Sequence, residues 1–348
     1  MTDIQINPPP CKIQHELKGQ RQSNIEFLRI LAMLMILTLH TRFEGIESVY
    51  DGGIDANHIC RFSFQAMSII GVNLFVLISG YFGIKLKNKG IINLVWQVVY
   101  IAVICLGIRI LWSHYNGEVF VFDKKWLFPV TNTVWFIPSY IMLMLFSPII
   151  NVFIDGTSTR KLVHYTIGLY LLSYYWSSIW VGTVMGFDGY SWGWFIILYL
   201  TGRIIRRMNE GNKLASKSKA LFGYIGFTIA IVAVAFLQNF IPVGRSLLWV
   251  YNSPLVYASS ICLFMFFCQL HISSSKVINF FAASAFAVLL LHMSLFAQYQ
   301  NICKSIYCKY DGVVCIGITL CFILCVYLFS TIIDQPRKIL YSLFFKKK

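Results

Sequence analysis

Residues 24–43 read NIEFLRILAMLMILTLHTRF, one stretch of mostly apolar residues carrying Glu26, Arg29 and His40. About eighteen such residues suffice to cross a bilayer as a helix. Charged and titratable groups at that depth are costly, so a functional role is the default expectation for them. Arg29 and His40 are eleven residues apart; at about 100° per residue, eleven steps return to within about 20° of the start. The two side chains therefore share one stripe, separated by about 16 Å of helical rise. Glu26 sits one turn before Arg29, placed to pair with it. The stripe suits the lining of a pocket, cationic at one level and carrying an imidazole at another. The plainer alternative is that all three side chains snorkel at the membrane edges.

The rest of the chain agrees with a membrane setting. Only 12% of the 348 residues are charged and 57% are hydrophobic, against about 25% charged in soluble domains. The expected fold is all-α: a polytopic membrane helix bundle of about ten transmembrane helices, with spans near 25–42, 62–84, 91–112, 133–153, 162–181, 191–205, 220–239, 251–270, 278–298 and 313–333. The net charge of +15 does not point to nucleic acid, because the basic residues cluster in short segments between apolar runs. With the amino terminus inside, 20 of the 29 Lys and Arg fall in inner segments and 7 in outer ones, leaving Arg29 and Arg109 within spans. That bias places both termini in the cytoplasm. Residues 1–23 are expected to form a flexible cytoplasmic tail, 24–335 the ten-span membrane domain and 336–348 a basic cytoplasmic tail. No short apolar core with a small-residue cleavage site precedes residue 24, so the first span is expected to serve as an uncleaved anchor.

Ten cysteines are scattered without a CxxC pair, so no zinc or redox site is expected. Cys303 and Cys308 share one outer segment and are within reach of a bridge. Eight of nine tryptophans fall at or near outer ends, Trp96 being the exception. An interfacial belt accounts for this; so does a stacking surface for sugar rings, for which Trp135, Trp192 and Trp194 are best placed.

Further polar groups punctuate the spans. The second ends GVNLFVLISGYFGIKLK, residues 71–87. Its Ser79-Gly80 pair allows close helix approach, or lines the same pocket as the first span, with Lys85, Lys87 and Lys89 at the cytoplasmic mouth. The fourth span, TNTVWFIPSYIMLMLFSPIIN, contains Pro138 and Pro148, which free backbone carbonyls that a cavity or neighbouring helix must satisfy. Tyr140 lies in its outer half. His292 stands mid-run in AFAVLLLHMSLF, either a hydrogen-bonded packing residue or a cavity residue. In GRIIRRMNEGNK, Arg203 and Arg206 are three apart and share a helix face, a pair able to clamp phosphate or simply to supply inner positive charge.

These segments resemble the acyltransferase family 3 membrane proteins. The family's opening helix carries an acidic residue, an Arg three later and a His after ten more; Glu26, Arg29 and His40 match position by position. GVNLFVLISGYF resembles its second-span Ser-Gly-aromatic segment, and WFIPSYIMLMLFSPIIN and LLLHMSLF resemble later landmarks. Two departures stand out: Asn73 occupies a position that is acidic in many members, and lysines replace an arginine pair after the second span.

The resemblance implies a bacterial inner-membrane, multi-pass O-acyltransferase. Its donor would be cytoplasmic acyl-CoA, by default acetyl-CoA, and its acceptor a cell-envelope polysaccharide or its lipid-linked precursor. On that footing Lys85, Lys87, Arg203, Arg206 and Ser79 would serve the donor. Arg29, held by Glu26, would stabilise phosphate or a developing oxyanion, and His40 would act as general base or brief acyl carrier. Trp135, Tyr140, Trp192, Trp194 and His292 would face the acceptor. Neither metal nor nucleic acid is implied; membrane lipid is. A transporter or flippase of a lipid-linked glycan would use the same Arg29 and His40 for binding or proton relay.

Overall fold

The computed structural model describes residues 22–41, 63–123, 135–178, 189–237 and 250–345. Residues 1–21 of the expected amino-terminal tail and 346–348 of the expected carboxy-terminal tail, and Trp126, Trp180 and Trp249, lie outside the described residues. Most of those described are helical, with no strand among them. In chain order the helices are α1 (Ser23–His40), α2 (Gly71–Phe82), α3 (Asn88–Tyr115), α4 (Phe136–Asp155), α5 (Thr159–Ser178), α6 (Trp192–Glu210), α7 (Lys217–Leu237), α8 (Pro254–Cys268), α9 (Lys276–Ala282), α10 (Ala285–Ser294), α11 (Phe296–Lys309) and α12 (Gly312–Phe345). A helical turn at 63–68 precedes α2 and continues its line, so the second span runs Ser63–Phe82. Seven helices are long and apolar enough to cross a membrane, which makes the chain an all-α polytopic membrane bundle. Of the other expected spans, α8 is apolar but shorter. Helix α6 carries Arg203, Arg206, Arg207 and Glu210, and α5 is rich in tyrosine and serine.

The hydrogen bonds between helix ends show how the chain alternates. At one end, Asn24 donates to the Phe267 carbonyl and the Ser275 N–H donates to Ser23. Arg207 donates to the Ile154 and Thr157 carbonyls, and Tyr341 donates to the Lys89 carbonyl. This end gathers Lys85, Lys87, Lys89 and the α6 arginines and is called the basic end below. At the opposite end Tyr299 and Tyr307 donate to the Leu37 and Thr41 carbonyls, and Arg109 donates to the Ser294 carbonyl.

Helix α1 lies at the centre, in contact with α2, α8, α9, α10 and α12. Its Ile25, Leu28, Ala32, Met33, Ile36 and Leu37 are wholly buried. Helices α3, α4, α5, α7 and α12 turn apolar side chains such as Val103, Ile149, Leu171, Ile229 and Leu328 outward, as lipid-facing helices should. The tightest crossing is α2 on α6. A Cβ on Gly80 would fall 2.3 Å from the Tyr199 carbonyl oxygen, and one on Gly202 would fall 2.4 Å from that of Leu77. Only glycine at both positions permits this approach, the small-residue contact typical of membrane helices.

Asn73, wholly buried, ties three helices. Its Nδ2 donates to the Tyr251 carbonyl (2.9 Å) and Ser260 Oγ (3.1 Å), and its Oδ1 accepts from Trp194 Nε1 (3.0 Å). An amide has both donors and an acceptor; a carboxylate here would face a carbonyl.

Several sequence expectations require correction. Pro148 does free a carbonyl, that of Met144, but Ser147 Oγ donates to it at 2.7 Å, so no cavity is needed to satisfy it. Residues 336–345 are not a tail: they continue α12. Asp334, fully buried, holds Arg337 at 2.5 Å and Lys338 at 3.1 Å, and Lys338 also donates to Ser284 at the α9–α10 break. Arg337 reaches Asn93 of α3. The ninth span ends at Ser294, and what reads as an outer loop becomes α11, whose Tyr299, Cys303 and Ile306 are buried. Cys303 and Cys308 are both free thiols; five residues apart on one helix, they point about 140° away from each other.

Candidate active site

The α1 stripe is present, and its two levels are occupied differently. Near the basic end, Glu26 is 5% exposed and faces Arg29, its Oε2 lying 3.2 Å from Nη1. Burial of Glu26 is at odds with snorkelling for that side chain, whereas Arg29 stays partly exposed beside it. Tyr327 of α12 lies within electrostatic reach of both, and its hydroxyl donates to the Phe281 carbonyl of α9.

At the other level, His40 ends α1 and is half-buried. Its Nδ1 lies 2.9 Å from His292 Nε2, the two rings tilted by 35° with centroids 5.2 Å apart. His292, 1% exposed, is bonded through Nδ1 to the Val288 carbonyl at 2.7 Å. Phe296 stands edge-on to His40 at 5.5 Å and Tyr299 edge-on to His292 at 5.9 Å. The break at Leu295 between α10 and α11 lets these rings wall the imidazole pair. His292 is thus placed against the α1 histidine and away from solvent, which does not suit the acceptor-facing role expected of it.

A second group lies around the end of α2. Gly83 terminates that helix with φ +77°, a left-handed conformation suited to glycine. Its amide neighbour Ile84 is clamped on both sides: its N–H donates to Tyr199 Oη (2.8 Å), and its carbonyl accepts from Asn151 Nδ2 (2.9 Å). Tyr199 donates in turn to Asn151 Oδ1 (2.8 Å). This ring of three bonds fixes the start of the segment carrying Lys85 and Lys87. Both lysines are exposed, and neither forms an ion pair among the described residues. Arg203 rests beside Gly83, 3.6 Å from Asp155, and its buried Nε lacks an acceptor among the described residues. One turn earlier, Ser79 Oγ and Tyr140 Oη are 3.1 Å apart, with Tyr140 stacked on Phe136.

Arg206 does not join Arg203. Its Nε donates to Glu210 and its Nη1 to the Tyr81 and Phe82 carbonyls, so it caps the end of α2. Trp194 is wholly buried and bonded to Asn73, leaving no ring face for a sugar. Trp192 and Trp135 are only partly buried. The first stacks on Phe146; the second meets Tyr190, Phe195 and Tyr251. No group of three or more His, Cys, Asp or Glu able to hold a metal occurs among the described residues.

Fold and site together define a multi-pass membrane protein with an imidazole pair and an Arg–Glu pair along its central helix. The acyltransferase family 3 model, described as an acyltransferase domain, matches residues 22–335. The chain belongs to this family, and it is a membrane acyltransferase. No curated protein and no solved structure matches it.

Proposed function

We propose that this protein transfers an acyl group, by default acetyl, from cytoplasmic acetyl-CoA to a hydroxyl of a cell-envelope polysaccharide or its lipid-linked precursor, in the bacterial inner membrane. The observation that carries this reading is His40: a half-buried imidazole ending the central helix, braced by a second histidine, on the same stripe as Arg29. An imidazole titrates near neutral pH and suits general-base work on an alcohol.

The basic end receives the donor. Lys85 and Lys87, exposed on a segment held by Tyr199 and Asn151, meet the phosphates of CoA, with the Arg203 guanidinium beside Gly83 adding positive charge behind them. Ser79 and Tyr140 offer hydroxyls one turn further in. Arg29, oriented by Glu26 and about 16 Å along α1 from His40, stabilises negative charge on the donor as it enters. At the far level His40 accepts the proton of the acceptor hydroxyl as its oxygen attacks the thioester carbonyl. The C–O bond forms, the C–S bond breaks, and the departing thiolate takes the proton back from His40. Trp135 and Trp192 present partly exposed rings for the glycan. Arg206 and Trp194 serve the scaffold instead.

The test is the mass of the envelope polysaccharide repeat unit from cells with the chain, without it, and with His40→Ala. Loss of one acetyl per repeat on deletion and in the variant supports the reading. An unshifted repeat that accumulates on its lipid carrier overturns it in favour of a flippase.

A further inference from the structure

We propose that His292 is a positioning residue that sets the tautomer of His40, so that Nε2 of His40 is the atom that takes the proton; this rests on the acyl-transfer reading above. A backbone carbonyl only accepts hydrogen bonds, so the 2.7 Å contact between His292 Nδ1 and the Val288 oxygen requires the proton on Nδ1. In the neutral ring the lone pair is then on Nε2. That atom lies 2.9 Å from His40 Nδ1, so His40 must donate, which puts its proton on Nδ1 and its lone pair on Nε2. Carbonyl, imidazole and imidazole form a chain in which each member fixes the next.

The same chain serves the protonated state. When Nε2 of His40 takes up the acceptor's proton, the ring becomes a cation whose Nδ1–H still points at the His292 lone pair. That bond becomes charge-assisted and stronger, as the carboxylate–histidine contact does in a serine-protease triad, here with a neutral acceptor. His292 touches no reacting atom and is 1% exposed. It is held from both sides. Its own helix supplies Val288, and Tyr299, anchored by donation to the Leu37 carbonyl of α1, packs against its ring. Other titratable or charged groups around the pair are Arg109 of α3 on the Ser294 carbonyl, and Tyr307 and Cys303 of α11. Arg109 and Tyr307 donate to the Ser294 and Thr41 carbonyls, on either side of the pair.

The experiment uses the full chain in detergent micelles, with histidine isotopically labelled at both ring nitrogens. Two-bond nitrogen–proton correlations report each tautomer, and the His40→Gln spectrum assigns the His40 signals. The wild-type His40 is expected as the Nδ1–H tautomer. His292→Gln, whose amide oxygen reaches the place of Nε2, should keep it; His292→Phe should lose it. In membrane vesicles supplied with radiolabelled acetyl-CoA, His292→Phe should lower kcat by about 10²-fold, within the range for general-base catalysis. It should leave KM for acetyl-CoA unchanged and alter the pH profile. His292→Gln should stay within about tenfold of wild type. An Nε2–H tautomer in the wild type overturns the proposal, as do equal losses in the Gln and Phe variants. Should His292→Phe fail to fold, the wild-type and Gln spectra decide. The spectra need no acceptor, so a correct tautomer with no acetyl transfer would refute the function while leaving the positioning contact standing.

Discussion

Replacing Asn73 with alanine tests the account of how the bundle is held together. The substitution removes an acceptor from Trp194 Nε1–H and a donor from the Tyr251 carbonyl, both in residues at most 5% exposed. Ser260 keeps its own bond to the Val256 carbonyl and is not stranded. Each buried group left unpaired costs about 1–3 kcal/mol, so the two together cost about 2–6 kcal/mol. Set against a typical stability of about 5–15 kcal/mol, that is a large fraction. Thermal unfolding of the detergent-solubilised protein, followed by tryptophan fluorescence, should show a midpoint lowered by more than about 5 °C. Asn73→Asp should also destabilise, because a carboxylate can accept from Trp194 but must face the Tyr251 carbonyl. A midpoint for Asn73→Ala within about 1 °C of wild type would refute the reasoning.

Gly202→Ala should impair folding: its Cβ would meet the Leu77 carbonyl oxygen at 2.4 Å and the Tyr81 nitrogen at 2.8 Å, backbone atoms that cannot rotate away, for a cost of about 1–3 kcal/mol or more. Reduced yield and a lowered melting midpoint check this. Tyr199→Phe removes the hydroxyl that accepts the Ile84 N–H and bonds Asn151, loosening the segment that carries Lys85 and Lys87. KM for acetyl-CoA should rise by about tenfold, the equivalent of about 1.4 kcal/mol, with kcat little changed. Lys85→Gln combined with Lys87→Gln should raise the same KM and flatten its dependence on ionic strength, because exposed charges act over roughly 10 Å at 0.1 M salt; steady-state assays at two salt concentrations check it.

What was legible in the sequence follows from periodicity and cost. The α1 stripe could be read because an apolar run makes every polar residue conspicuous, and eleven residues make three turns. The Ser79-Gly80 pair was legible as a close crossing, although its partner Gly202 was not, since nothing local says which helix will approach. The imidazole pair was hidden for the same reason: His40 and His292 are 252 residues apart, and only the fold brings them together. Trp194 looked like an outer-rim residue because it begins a span, but α6 is covered on several sides by α2, α4 and α5, so an indole near its start is already core. Helix α11 was missed because its apolar face is narrow and its average polarity high; Tyr299, Cys303 and Ile306, spaced at four and three residues, were the available signal. Residues 336–345 read as tail because they follow the last apolar run and open on Pro336, Arg337 and Lys338, whereas buried Asp334 binds both of those charges and the helix continues.

The central claim is that the α1 imidazole performs acyl transfer. The most direct measurement is transfer of label from radiolabelled acetyl-CoA to the polysaccharide fraction of membrane vesicles, comparing wild type with a His40→Gln variant shown to insert and to melt normally. Transfer by the wild type and its loss by at least about 10²-fold in the variant is the expected result. Transfer that persists in the well-folded variant would contradict the account.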